Sequence, residues 1–382
     1  MTKRILCSFF VGGMLLLVGC SDIEQKGDYL PLEQVYAQAD AALEQTYDNL
    51  KMPESITLDE VDTLYTFTGT WKDIMTKESD EPMAQAAIVD MLETVCGFRA
   101  QKEDVKLVRY SGSINYEYAS DDGAYDAALS SKYGFYLSDY SVAPSLYGEE
   151  PSVNESCIHI DRGEDLSAVY ELSGGTCSVV DAKALCDETV QSLNKYVNPE
   201  EELRAKTAYI IRRPNEKYEY LFVYEKLYQG IPLDCSCEFF MTQTGFSKPT
   251  YWFLTVDAPD HISSVNSKWS NEYVPGSRTK CKDSFLTLKS AATLLSEELA
   301  QYKAYDVADI ELQYVCMQKL GFEAMEDSEY RPMWNFTLEE QLEDNHNGPK
   351  ALFKISAFVD MQNGKIYIVD DIYQQVYTVL PD

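Results

Sequence analysis

AYIIRRPNEKYEYLFVYEKLY, residues 208–228, reads as two strands around one turn. Ala208–Arg213 and Tyr218–Tyr228 flank Pro214-Asn215-Glu216, and alternation places Tyr218, Tyr220, Phe222 and Tyr224 on one face of the second strand. Such an aromatic face needs a cover. The preceding segment supplies one: over Val179–Val197, Ala182, Cys186, Val190, Leu193 and Val197 recur at helical spacing. Downstream, Cys235–Thr242 and Tyr251–Val256 continue the sheet, and Asp257-Ala258-Pro259-Asp260 turns into Ile262–Val265.

The same order recurs towards the C-terminus. A helix beginning after Thr287 carries Leu288, Ala292, Leu295, Leu299 and Tyr302 on one stripe. Alternating strands follow at Ile310–Cys316, Trp334–Leu338 and Phe353–Val359. Asn363-Gly364 is a strong type I′ hairpin signal leading into Lys365–Val369. The expected fold class is therefore α+β, with two helix-plus-antiparallel-sheet modules at 166–270 and 271–382. Upstream, residues 30–103 read as a helical region. Leu32, Val35, Ala39, Leu43 and Tyr47 form one apolar stripe, and further helices are expected over Leu58–Lys77 and Pro82–Cys96, where proline suits a first turn. Residues 104–165, rich in Tyr, Ser, Gly and Asp, read as irregular, with strands at Lys106–Tyr110 and Ile114–Tyr118.

Residues 1–19 form a targeting segment, with Lys3 and Arg4 ahead of an uncharged apolar run that is short for a spanning helix. It ends in Leu17-Val18-Gly19-Cys20, which resembles the lipobox of bacterial lipoproteins, and the resemblance implies that the Cys20 thiol carries the lipid. Residues 20–29 then serve as a tether. The chain is expected on the extracytoplasmic face of a cell membrane, held by lipid rather than by a helix.

The chain carries 63 acidic against 32 basic residues, a net charge of −31, and removing Lys3 and Arg4 makes the exported form more acidic still. Such a surface repels phosphate backbones, which excludes nucleic acid as a partner. At 45% hydrophobic and 12% aromatic, the chain can bury a substantial core. Beyond Cys7 and Cys20, the cysteines are Cys96, Cys157, Cys177, Cys186, Cys235, Cys237, Cys281 and Cys316. In an exported protein they permit disulfides, and they equally suit buried apolar sites.

Tyr224-Glu225-Lys226-Leu227-Tyr228-Gln229-Gly230-Ile231-Pro232-Leu233 resembles the Q-x-x-x-G-I-P-V strand pair of PepSY and thermolysin-propeptide modules. Arg331-Pro332-Met333-Trp334-Asn335-Phe336, followed by Val359-Asp360-Met361-Gln362-Asn363-Gly364-Lys365-Ile366, is similar to the ending of such units, and to YycH- and YycI-like extracytoplasmic regulators of sensor kinases. The resemblance covers residues 165–382. One departure is Pro259-Asp260-His261, which stands where the turn glycine belongs. The resemblance implies a non-catalytic domain that binds or inhibits another exported or membrane protein, and it supplies no catalytic residues.

The residues themselves offer little chemistry. His159, His261 and His346 lack metal-ligand spacing, and neither H-E-x-x-H, G-x-S-x-G nor a P-loop occurs. No catalytic, metal or cofactor site is expected. Weaker candidates are Cys235 with Cys237 as a soft-metal or redox pair, Asp121, Asp122 and Asp126 around Gly123 as a calcium loop, and Tyr133, Tyr136, Tyr140 and Tyr147 as an aromatic binding patch. The leading expectation is a membrane-anchored regulatory lipoprotein with a protein partner in the cell envelope. An envelope hydrolase with an unrecognised carboxylate site and a solute- or glycan-binding lipoprotein are the alternatives. Replacing the lipid-bearing thiol by Cys20→Ser is expected to move the protein from the membrane pellet to the soluble fraction and to abolish incorporation of radiolabelled palmitate.

Overall fold

A computed structural model describes residues 27–72, 78–110, 113–130, 134–142, 153–197, 202–234, 252–268, 272–301, 304–317, 328–340 and 353–370. The chain opens with β1 (Tyr29–Leu30), α1 (Leu32–Ala37), α2 (Ala39–Leu43), β2 (Leu50–Lys51) and β3 (Tyr65–Lys72). Next come α3 (Glu81–Cys96) and the strands β4 (Lys106–Tyr110), β5 (Ser113–Ala119), β6 (Tyr125–Ser130), β7 (Gly134–Asp139) and β8 (Val153–His159). A small hairpin of β9 (Val169–Leu172) and β10 (Gly175–Ser178) leads into α4 (Val179–Val197), then β11 (Glu202–Arg212), β12 (Tyr218–Tyr228), β13 (Ile231–Asp234), β14 (Trp252–Ala258), β15 (His261–Lys268) and β16 (Glu272–Lys280). The last part holds β17 (Phe285–Leu286), α5 (Leu288–Glu298), β18 (Tyr305–Met317), β19 (Ser328–Glu340), β20 (Phe353–Asp360) and β21 (Ile366–Asp370).

The strands form two large sheets. In the first, the order is β4-β5-β6-β7-β15-β14-β12-β11-β8, antiparallel throughout. Tyr220, Phe222 and Tyr224 of β12 are buried under Val179, Ala182, Cys186, Val190 and Leu193 of α4, as the alternation requires. Helix α3 buries Ala84, Ala87, Ile88, Met91 and Leu92 in the same core, and left-handed Gly97 (φ 63°) ends it. The second sheet runs β21-β20-β19-β18, with β3 on the start of β19, β16 on β3, and β2 and β13 parallel to β18. Its core takes Trp334, Phe336 and Leu338 together with α5, α1 and α2, so both ends of the chain contribute.

One hairpin joins the sheets. Tyr228 faces Ile231 across Gln229-Gly230, both at positive φ (52° and 81°), which is a type I′ turn. Beyond it, Leu233 and Asp234 leave β12 and pair with Tyr314 and Val315 of β18.

The expected α+β architecture, an N-terminal helical region followed by two helix-plus-antiparallel-sheet modules, is overturned: strands dominate, and among the described residues there are five α-helices. Of the stripe Leu32, Val35, Ala39, Leu43 and Tyr47, the first three are buried in helix, Leu43 is half-buried at the end of α2 and Tyr47 is buried beyond it, while Gln38 (φ −105°, ψ 3°) splits the helix into two short pieces. Of the helix expected over Leu58–Lys77, the described residues 58–72 contain no helix. Residues 65–72 are β3, where β-branched Thr66 and Thr68 flank buried Phe67. Phe67 stacks on Tyr330 at 5.0 Å and touches Tyr228 and Tyr314, while the Tyr65 N–H donates to the Tyr314 hydroxyl at 3.0 Å. These long-range contacts outweigh local helical preference.

Residues 104–165, expected to be irregular apart from strands at Lys106–Tyr110 and Ile114–Tyr118, carry those two as β4 and β5 and three more as β6, β7 and β8; Tyr116, Tyr118, Leu129, Phe135 and Leu137 alternate inward beneath α3. The turn at Asn363-Gly364 is not type I′ either. Asp360 pairs with Lys365 across a four-residue loop, only Gly364 of the two has positive φ, and the Asp360 carboxylate accepts from Gln362 N at 2.8 Å and Asn363 Nδ2 at 2.9 Å. The Pro82–Cys96 helix is found as α3. Among the described residues, no helix is long and apolar enough to cross a bilayer.

Gly230→Ala is expected to cost about 1–2 kcal/mol, because its left-handed backbone disfavours a side chain and the added Cβ would sit 3.3 Å from Val61 Cγ1. Phe67→Ala, which empties the aromatic cluster, is expected to cost about 3–5 kcal/mol. Urea unfolding midpoints measure both.

Candidate functional site

Where the first sheet meets β18, both strands carry a β-bulge. In β11 the register shifts between Ala205 and Thr207, leaving Lys206 outside the ladder with β12, and in β18 it shifts between Val307 and Asp309. A bulge re-aims side chains. Here Arg204 and Lys206 on one side, and Asp309 and Glu311 on the other, point into the same cleft rather than into the two apolar cores.

Glu225, only 2% exposed, lies between two cations: Arg204 donates to it at 3.0 and 2.5 Å, and Lys206 Nζ is 3.1 Å from its second oxygen. Arg204 also grips both oxygens of Asp59, from the loop before β3. Lys206 reaches Glu311 of β18 at 2.5 Å, and Gln313 and Asn335 continue the chain from Glu311. Arg162, just beyond β8, pairs with Asp309 at 2.5 Å. The network therefore ties β11, β12 and the β8 exit to β18, β19 and the segment before β3.

Ionisation follows from these neighbours. Burial pushes Glu311 up, but Lys206 and Arg162 override it, and its pKa falls below the usual carboxylate range. Asp309 is raised, by burial and then by Glu311, against the pull of Arg162. Asp161 is pushed up to about 6 by burial, opposed by Lys206 and reinforced by Glu311 and Glu225. One of its oxygens is buried without a hydrogen-bond partner. The cleft lined by Asp59, Asp161, Arg162, Arg204, Asp309 and Glu311 has room for a water or two rather than for an organic solute. Among the described residues, no cluster of three or more His, Cys, Asp or Glu is arranged to hold a metal ion.

None of these residues stands out in the sequence as a candidate. The only trace is charge in the middle of apolar strands, as in LRAKTAYII (203–211) and VADIELQYV (307–315). The expected candidates fare differently. Asp122 accepts from Ser120 Oγ at 2.7 Å and Ala124 N at 3.0 Å, so it holds the β5–β6 turn, and Asp126 accepts from the Tyr136 hydroxyl. Tyr136 is exposed on β7 and Tyr140 half-buried, while Cys96, Cys157, Cys177, Cys186 and Cys281 form no disulfide with one another. The His159 N–H donates to Glu164 at 2.7 Å. His261 is a surprise, sitting between two buried aspartates. Cys20, Cys235, Cys237, His346, Tyr133 and Tyr147 lie outside the described residues.

No family model matches the chain, and no curated protein matches it. Among solved structures, an uncharacterized protein from Eubacterium rectale ATCC 33656 is similar, with a TM-score of 0.56 at 15% identity, over 89% of this chain and 99% of that one. That likeness is one of fold. It shows that the two-sheet arrangement recurs in a chain of very different sequence.

Lys206→Met leaves two carboxylates buried without their shared cation and is expected to cost about 3–5 kcal/mol. Lys206→Met/Glu311→Leu should recover part of that loss. Because the folded state raises the Asp161 pKa, this group adds stability as pH falls from about 6 towards its unfolded value and subtracts it at neutral pH. Asp161→Asn is therefore expected to stabilise at pH 7, by about 1 kcal/mol or less once solvent screening is allowed for. It should also flatten stability between pH 4 and 6, as followed by thermal unfolding.

Proposed function

We propose that this chain is a lipid-anchored extracytoplasmic protein that binds and regulates another envelope protein without transforming it. The observation that carries the reading is the junction itself. Arg162, Arg204 and Lys206 are each spent on carboxylates that tie one sheet to the other, so the charges there serve the fold and are not free to act on a substrate. Among the described residues, Tyr116, Tyr220, Tyr224, Tyr314 and Tyr330 are fully buried in the cores rather than lining a surface pocket. The strongly acidic composition selects a partner with a basic face. The lipobox-like Leu17–Cys20 and the regulatory role implied by the sequence resemblance point the same way.

The hydrolase reading is favoured by one observation, that Asp161 and Asp309 line the same cleft and are both raised. A photo-crosslinking residue placed at Tyr136, exposed on β7, separates the two. The binding reading expects one discrete adduct with an envelope protein, unchanged by Asp161→Asn or Asp309→Asn. A hydrolytic activity on envelope material lost in both variants, with no adduct, would replace it.

A further inference from the structure

His261 opens β15 straight after the Pro259-Asp260 turn, and its ring meets a carboxylate at each nitrogen. Nδ1 lies 2.5 Å from Oδ1 of Asp257 in β14, and Nε2 lies 3.1 Å from Oδ2 of Asp139 at the end of β7, within ion-pair distance although the Nε2 position is not aligned for a hydrogen bond. Both aspartates are buried, with side chains 2% exposed, and the imidazole is 14% exposed. A neutral imidazole has one N–H and can donate to one of them only. The other carboxylate would then face a ring lone pair with little water at hand, an arrangement that costs free energy.

The surroundings reinforce the cation. Cys96, at the end of α3, bonds to Asp139 through its thiol. Glu219 of β12 lies near Asp257 and is itself held by Arg213. Asp260 belongs to the turn next to the ring, and Cys177 of β10 bonds to the Pro259 carbonyl. Among these groups the one cation, Arg213, is already spent on Glu219.

We propose that His261 is a proton-operated clasp: as an imidazolium it fastens the end of β7 to the β14–β15 turn, and loss of one proton frees Asp139. Asp139 also accepts from Ser141 N at 2.9 Å, so it organises the chain leaving β7 as well as the end of α3. Opening the clasp loosens Tyr140–Val142, which already carries an exposed apolar side chain at Val142. Burial works against the charged ring, but Asp257 and Asp139 outweigh it, so the pKa of His261 lies above the ordinary histidine value. A group raised in this way adds its full stability below about pH 6.5 and loses it as pH climbs through its own folded-state value. The clasp is closed in acid and opens in alkali.

The test is a titration of the full chain labelled with 15N-histidine, between pH 5 and 10, with the His261 ring assigned by its disappearance in His261→Gln. Both ring nitrogens are expected to stay protonated to a pH clearly above the ordinary histidine value of about 6.5. Asp139→Asn should bring the titration down. Hydrogen exchange at Tyr140 and Ser141, corrected for intrinsic rates, should rise several-fold as the ring deprotonates, with amides at the centre of β12 unmoved. A ring that titrates at or below pH 6.5 would overturn the proposal even if the variants fail to fold, and so would exchange at Ser141 that ignores the titration.

Discussion

Glu225 is a charged side chain held almost entirely out of water, and the rest of the junction is arranged around that fact. A lone buried carboxylate would be prohibitively costly, so it must be paired, and here it is paired twice. Both of its cations reach onward to other acids, Arg204 to Asp59 and Lys206 to Glu311. Apolar contact between two sheets tolerates sliding, since one methyl replaces another with little penalty. A chain of charge-assisted bonds does not, because a shift of one residue would strand several charges at once. The network thus sets the register in which the β11 side of one sheet meets β18 of the other, while the Gln229-Gly230 turn supplies the covalent link.

Much of the strand pattern was legible along the chain because alternation is a local signal. The aromatic face of β12, its cover by α4 and the strands that became β18 to β20 all followed from spacing. Where the reading failed, the deciding contacts were distant. Phe67 is drawn into strand by Tyr228, Tyr314 and Tyr330, residues more than 150 positions away, and nothing near Leu58–Lys77 announces them. Within the β4–β7 meander, β4 and β5 were read from alternation, but β6 and β7 were hidden for another reason: their polar outward residues look like loop composition unless the inward residues are given a helix to face.

The polar junction was less legible still. Its charged members come from five separate stretches, and each alone looks like an ordinary surface charge. What gives them meaning is a pair of bulges, which are invisible to periodicity because each merely slips the pattern by one residue. His261 did leave a mark, as the residue that replaced the expected turn glycine. Its first partner, Asp257, is four positions away, but Asp139 lies on another strand far upstream.

One feature near the start of the chain bears on how the molecule is carried. Tyr29-Leu30, nine residues after Cys20 in the sequence, is stitched to Phe285-Leu286. Nine residues at full stretch span about 30 Å. With Cys20 lipidated, the sheet built from both chain ends would ride close to the bilayer surface on this short leash. If the proposed function holds, a partner would be met at the membrane surface.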